Sequence, residues 1–153
     1  MRITLLTVGK TDVKWVKEGL DLYVSRLVHY IQFSVNEIPE LKNVSALSKE
    51  QIKEREGALI KPSDDVILLD EHGRQFRSVE FASFLQEKMA CSGRNIVFVI
   101  GGAYGFSKEV YARANSKMSL SEMTFSHQMV RTIFVEQLYR AFTIMKGEPY
   151  HHE

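Results

Sequence analysis

Asn95-Ile96-Val97-Phe98-Val99-Ile100-Gly101-Gly102 is the stretch on which the fold turns. After Asn95 it is apolar without interruption until two glycines close it. A short continuous apolar run bounded in this way reads as a strand buried on both faces, as in a parallel sheet. Ile3 to Val8 (ITLLTV), which stops at Gly9-Lys10, has the same profile. So does Asp65 to Asp70 (DVILLD), which is expected to end at the turn Glu71-His72-Gly73-Arg74. Ile31 to Ile38 instead alternates apolar and polar residues until Pro39, the mark of a half-buried strand near a sheet edge.

Helical patterns lie between these runs. Asp12 is a candidate cap for a segment in which Val16, Leu20, Tyr23, Val24 and Leu27 recur at spacings of three and four. Ser48 and Gln51 form a capping-box signature before a charged helix as far as Lys61. Ser78 opens a helix through Phe81, Phe84, Leu85 and Met89, and Ser107 opens another with Glu109 in its first turn. Strands that alternate with helices predict an α/β fold with a mostly parallel sheet flanked by helices. Ligands of such sheets bind outside the carboxyl ends of the strands, which directs attention to the residues after Leu69 and Ile100.

The chain has 153 residues, close to the ~150 of a typical domain, so residues 1–153 are expected to form one domain. With 44% hydrophobic and 25% charged residues, a disordered chain and a fibrous repeat are both excluded. A net charge of +1 argues against coating nucleic acid by bulk charge, though not against a local basic patch. Cys91 is the one cysteine, so neither an intramolecular disulfide nor a two-cysteine metal site is available. No window reaches the ~18 apolar residues of a membrane span, and the first residues read as a strand and not as a signal peptide. A cytoplasmic protein without membrane or metal partners is the expectation.

Two segments carry the candidate chemistry. Gly101-Gly102-Ala103-Tyr104-Gly105-Phe106 sits between a strand and a helix, where glycines admit a ligand close to the backbone or simply make a tight turn. It is neither G-x-G-x-x-G nor a P-loop, since the lysine of the latter is absent. The second segment runs from Ser126 to Met145 and reads as a helix whose apolar residues surround the whole wheel. Such a helix is buried on several sides, and packing against a second subunit is one way to achieve that. Glu136 and Arg140 have the spacing of an i,i+4 ion pair. Arg131 has His127 at i−4 in place of a carboxylate, which leaves it for a phosphate or carboxylate contact. His127 reads as a satisfied polar residue at a helix start. The tail Tyr150-His151-His152 is either a frayed terminus or an aromatic and two imidazoles that stack on a base and hold a phosphate. Adjacent histidines seldom point at one metal, so a metal site is not expected.

The glycine loop, the block SLSEMTFSHQMVRTIFVEQLYRAFTI (119–144) and the terminal GEPYHHE together closely resemble the RlmH family, SPOUT-class methyltransferases of large-subunit ribosomal RNA. ITLLTVGK, the IPE segment and LLDEHG match that family in order and spacing, so the resemblance spans the chain. It implies a homodimer whose C-terminal part forms a trefoil knot around S-adenosyl-L-methionine. It further implies methyl transfer to N3 of a pseudouridine in the helix 69 loop of 23S ribosomal RNA, on the assembled ribosome. Cofactor contacts are implied at Leu69, Gly101 and Gly102 and along Leu120, Ser121, Glu122, Met123, Thr124 and Phe125. Arg131 and Arg140 are expected to orient the RNA, with Tyr150 and His151 closing over the pseudouridine and His151 accepting the N3 proton. Glu136 either holds an arginine or assists proton removal.

Three positions depart from the family pattern. Ala103 and Ser126 stand where many relatives have proline, and His152 stands where lysine or arginine is common, which leaves a pH-dependent charge at the terminus. Residues 107–152 carry six basic against four acidic residues plus three histidines. That excess is small for tight binding of naked RNA and fits a folded ribosomal surface better. The alternatives are a non-catalytic dimeric ribosome- or RNA-binding module and a SPOUT enzyme with another RNA target, such as a 2′-O-ribose methyltransferase.

Overall fold

Near-continuous apolar runs build the middle of the sheet. The computed structural model describes residues 1–39, 60–102 and 105–152. Among them are five strands, β1 (Arg2–Val8), β2 (Gln32–Ile38), β3 (Asp65–Gln75), β4 (Ile96–Ile100) and β5 (Ser116–Ser119). Four helices accompany them, α1 (Lys14–Leu27), α2 (Ser78–Cys91), α3 (Lys108–Arg113) and α4 (Met129–Met145). The strands lie in the order β2-β1-β4-β3-β5 and every ladder is parallel. The fold is therefore α/β, with β2 at an edge as its alternating pattern predicts.

Successive residues of each strand serve opposite faces. Ile3, Leu5, Ile67, Phe98 and Ile100 enter one core with Leu20, Leu27, Phe81, Leu85, Phe134 and Leu138 from the helices. Leu6, Val66, Leu68, Val97 and Val99 enter a second with Val110 and Ile60 on the other face. Helix α4 packs against both α1 and α2. Phe134, Val135, Leu138, Ala141 and Phe142 are buried by this chain alone, so a second subunit is not what covers them.

Several boundaries differ from expectation. The apolar signal of β3 stops near Asp70, yet the strand continues to Gln75. Leu69 and Arg74 both face Met118 of β5, so residues 70–73 bulge out of the ladder where a terminating turn is expected. Gly73 makes this possible, because a Cβ there would lie 2.5 Å from the Met118 backbone. Asp12 does not cap α1; the N-cap is Val13, without a side-chain cap bond. Gln128 takes over from afar, its Oε1 accepting the Asp12 N–H at 3.1 Å. Ser107 caps α3 as expected, accepting the Val110 N–H at 3.3 Å. Helix α4 begins at Met129 and not at Ser126, whose carbonyl accepts the Val130 N–H at 3.0 Å in the turn leading in. The charged helix expected from Ser48 to Lys61 lies, except for its last residues, outside the described residues.

Candidate active site

The carboxyl ends of β4 and β5 flank the bulge of β3, and this bulge and the loops that leave β4 and β5 enclose a cavity of about 410 Å³. That is the size of a pocket for a ligand of drug-like dimensions. Of the residues expected at a cofactor, Leu69, Gly101, Gly102, Leu120, Ser121, Met123, Thr124 and Phe125 line it. Glu122 does not: it is exposed and absent from the lining. Gly101 has a steric reason, since a Cβ there would press within 3.1 Å of the Phe106 ring that closes that wall. Serines brace the opposite wall. Ser119 Oγ donates to the Ser121 carbonyl at 2.8 Å, and Ser121 Oγ accepts the Met123 N–H at 3.0 Å.

Asp70, Glu71, His72, Phe106, Tyr111 and His127 also line the cavity, and no lysine or arginine does among the described residues. The Tyr111 hydroxyl donates to Asp70 Oδ2, and the His72 N–H donates to Asp70 Oδ1 at 2.8 Å. Burial works against ionisation of Asp70, but these two bonds outweigh it and hold its carboxyl below the ordinary value. The bond to Asp70, aided by burial, pushes Tyr111 up to about 12. Asp70 was legible as the residue after Leu69 at a strand end. Tyr111, paired across 41 positions, carries no local signal.

A second polar cluster lies where the tail returns to α4. Arg140 bonds to Glu136 Oε1 through Nε at 3.1 Å and through a terminal nitrogen at 2.5 Å, the expected i,i+4 pair, here largely buried. Tyr150 donates to the same oxygen at 3.0 Å, and the Arg140 guanidinium lies 4.7 Å from the Tyr150 ring centroid. Burial, then bonds with Tyr23 and Glu136, raise the Tyr150 phenol far above its usual value. His151 Nδ1 lies 3.1 Å from Arg140 Nη1. Arginine only donates, so Nδ1 is the acceptor there and the ring proton of neutral imidazole sits on Nε2. For His151 to take a proton at Nδ1, this contact must first be released.

Arg131 is placed differently from the expectation of an RNA contact. It is 1% exposed. Its guanidinium donates to the Val8 carbonyl at 2.7 Å, the Gly9 carbonyl at 2.9 Å, Thr11 Oγ1 at 2.8 Å and the His127 carbonyl at 3.0 Å. The reason is that α4 passes the end of β1, whose last carbonyls have no strand to pair with. Arg131 thus closes the protein's own backbone and does not face a ligand.

None of Glu136, Arg140, Tyr150 and His151 lines the cavity. Helix α4 touches the cavity at Val130 and reaches Arg140 ten residues later, about 15 Å along its axis. Among the described residues there is no group of three or more His, Cys, Asp or Glu side chains able to hold a metal ion, and no helix is long and apolar enough to cross a membrane.

Comparison with known proteins agrees with this geometry. A family model described as "Predicted SPOUT methyltransferase" matches residues 1–151. Proteins named "Ribosomal RNA large subunit methyltransferase H" are similar over the whole chain. That of Phocaeicola vulgatus is 55% identical over 100% of both chains, and that of Parabacteroides distasonis is 52% identical over 100% of both. The Christiangramia forsetii protein is 54% identical over 99% of both.

Proposed function

The chain belongs to the SPOUT methyltransferases, within the RlmH family, and from that premise we propose methyl transfer from S-adenosyl-L-methionine to large-subunit ribosomal RNA. The acceptor in this reading is N3 of a pseudouridine in the helix 69 loop of 23S ribosomal RNA, on the assembled ribosome in the cytoplasm. One observation carries it: a cavity at the carboxyl ends of parallel strands, walled by glycine backbone and aromatic rings, with two carboxylates and, among the described residues, no lysine or arginine in its lining. Such a lining suits a cationic adenosyl sulfonium and disfavours a nucleotide polyphosphate, which needs basic donors.

When bound, the cofactor supplies an electrophilic methyl group on a sulfonium. The glycine wall at Gly101 and Gly102 and the loop from Leu120 to Phe125 hold it and exclude water, which is most of what an in-line displacement requires of a protein. Tyr150 and His151 present a ring and an imidazole to the base, and Arg140 positions both, through its contacts with the Tyr150 ring and with His151 Nδ1. Glu136 fixes Arg140 and accepts from Tyr150. The N3 proton leaves to His151 once Arg140 releases Nδ1.

The ~15 Å between the cavity and the tail cluster supports a homodimer in which one chain's tail completes its partner's cavity. The trefoil knot implied by the family resemblance belongs to this reading, as does a single domain over residues 1–153.

The test is transfer of a labelled methyl group from S-adenosyl-L-methionine to ribosomes from a strain lacking the gene, with nucleoside analysis of the product. Label in N3-methylpseudouridine is the expected result. No label from folded protein, or label on a ribose, overturns the reading.

A further inference from the structure

We propose that Asp70, anchored by Tyr111, makes the cavity prefer the positively charged sulfonium of the methyl donor over the neutral thioether left after transfer. This rests on the methyl-transfer reading. Asp70 stands where β3 bulges away from β5, and residues of the bulge and of α3 fix it there. The His72 N–H in the bulge and the Tyr111 hydroxyl on α3 occupy its two oxygens. Tyr111 is itself held, its ring meeting Phe106 edge-on at 5.6 Å, with the Lys117 ammonium of β5 5.7 Å from its centroid. Lys117, whose charge also favours the ionised form of Asp70, does not line the cavity.

A fixed anionic carboxylate in a lining that holds no lysine or arginine among the described residues attracts a cation and gives nothing comparable to a neutral sulfur. Transfer breaks the S–CH3 bond and leaves its electron pair on sulfur. N3 gains the methyl group and gives up its proton to a base. The donor thereby loses one positive charge, and with it the attraction to Asp70, so the spent molecule is held less tightly than the fresh one. Glu71 does not serve equally, because it is exposed and pairs with His72 at 3.4 Å, where water and salt screen it. In this scheme Asp70 is the specificity determinant and Tyr111 a positioning residue.

Isothermal titration calorimetry of the full-length protein near neutral pH, with S-adenosylmethionine and S-adenosylhomocysteine in separate titrations, tests it. Asp70→Asn preserves shape and removes the charge. It is expected to weaken S-adenosylmethionine by about tenfold and to leave S-adenosylhomocysteine nearly unchanged. Tyr111→Phe keeps the carboxylate but frees it, and is expected to narrow the preference by a smaller factor; it carries the same test if Asp70→Asn does not fold. Equal weakening of both ligands, or an unaltered ratio, overturns the inference and leaves methyl transfer standing. Failure of the unsubstituted protein to bind either ligand overturns the methyl-transfer reading itself.

Discussion

Replacing Arg131 by methionine separates its two readings, backbone clasp and RNA contact. Methionine keeps most of the aliphatic volume in a site that is 1% exposed, so the loss is concentrated in the guanidinium. Four oxygens lose a charged donor, those of Val8, Gly9, Thr11 and His127, at 2.7 to 3.0 Å. At ~1.5 kcal/mol for each, the low end for a bond to a charged group, the four sum to about 6 kcal/mol. Packing retained by methionine lowers this, and buried charge networks broken from one side typically lose about 3–5 kcal/mol. Urea unfolding monitored by circular dichroism, at one fixed protein concentration because a dimer's stability depends on it, is expected to show that loss. Arg131→Lys is expected to recover only part, since one ammonium cannot span oxygens that a planar fork reaches together. A stability within about 1 kcal/mol of the parent, accompanied by lost methylation of ribosomes, would refute the clasp and restore the RNA contact.

Three further predictions concern the bulge, an acid-sensitive contact and the tail. Gly73→Ala drives a Cβ into the Met118 backbone, so a loss of about 1–3 kcal/mol and weaker S-adenosylmethionine binding are expected, measured by thermal melts with and without the ligand. Burial opposes ionisation of Glu37, but bonds from Thr11 and the charge of Arg131 hold its carboxyl below the ordinary 4.5. Its contribution is therefore complete above 4.5 and disappears as pH falls through the lowered folded-state value; the acid limb of Tm against pH is expected to flatten in Glu37→Gln. Glu136→Gln removes the anion that holds Arg140 and Tyr150 outside the cavity. Methylation of ribosomes is expected to fall by about tenfold or more while calorimetric S-adenosylmethionine affinity stays within about twofold.

What was legible in the sequence was what depends on local pattern. Ile3 to Val8 and Asn95 to Ile100 read as doubly buried strands because both faces of the sheet are covered and the runs are dominated by aliphatic and β-branched residues, Thr4 and Thr7 included. The cap at Ser107 was visible because capping is a matter of three residues. The continuation of β3 to Gln75 was hidden, since it is maintained by backbone pairing with β5 and its side chains are mostly exposed. The same holds for Arg131. Three of its four acceptors lie at Val8 to Thr11, remote in sequence, so the missing carboxylate at i−4 pointed outward to a ligand when the acceptors were backbone carbonyls and a threonine hydroxyl. The cavity wall to which the proposal assigns the cofactor was found through the glycines and the family block, whereas Tyr111 and Asp70 meet only because α3 turns back over the bulge of β3.

The stitching at the end of β1 also bears on how the chain reaches its native state. Gln128 and Arg131 bind residues 8–12 across 116 to 123 positions of sequence, nearly the whole polypeptide. Closing so long a loop costs entropy before any of these bonds repays it, and folds dominated by remote contacts form slowly. During synthesis, β1 can lie between β2 and β4 while its final carbonyls still face solvent, until the last helix has emerged. A chain truncated before Arg131 would then keep unpaired carbonyls at the end of β1 and an uncovered apolar face of the sheet, a species prone to associate before it matures.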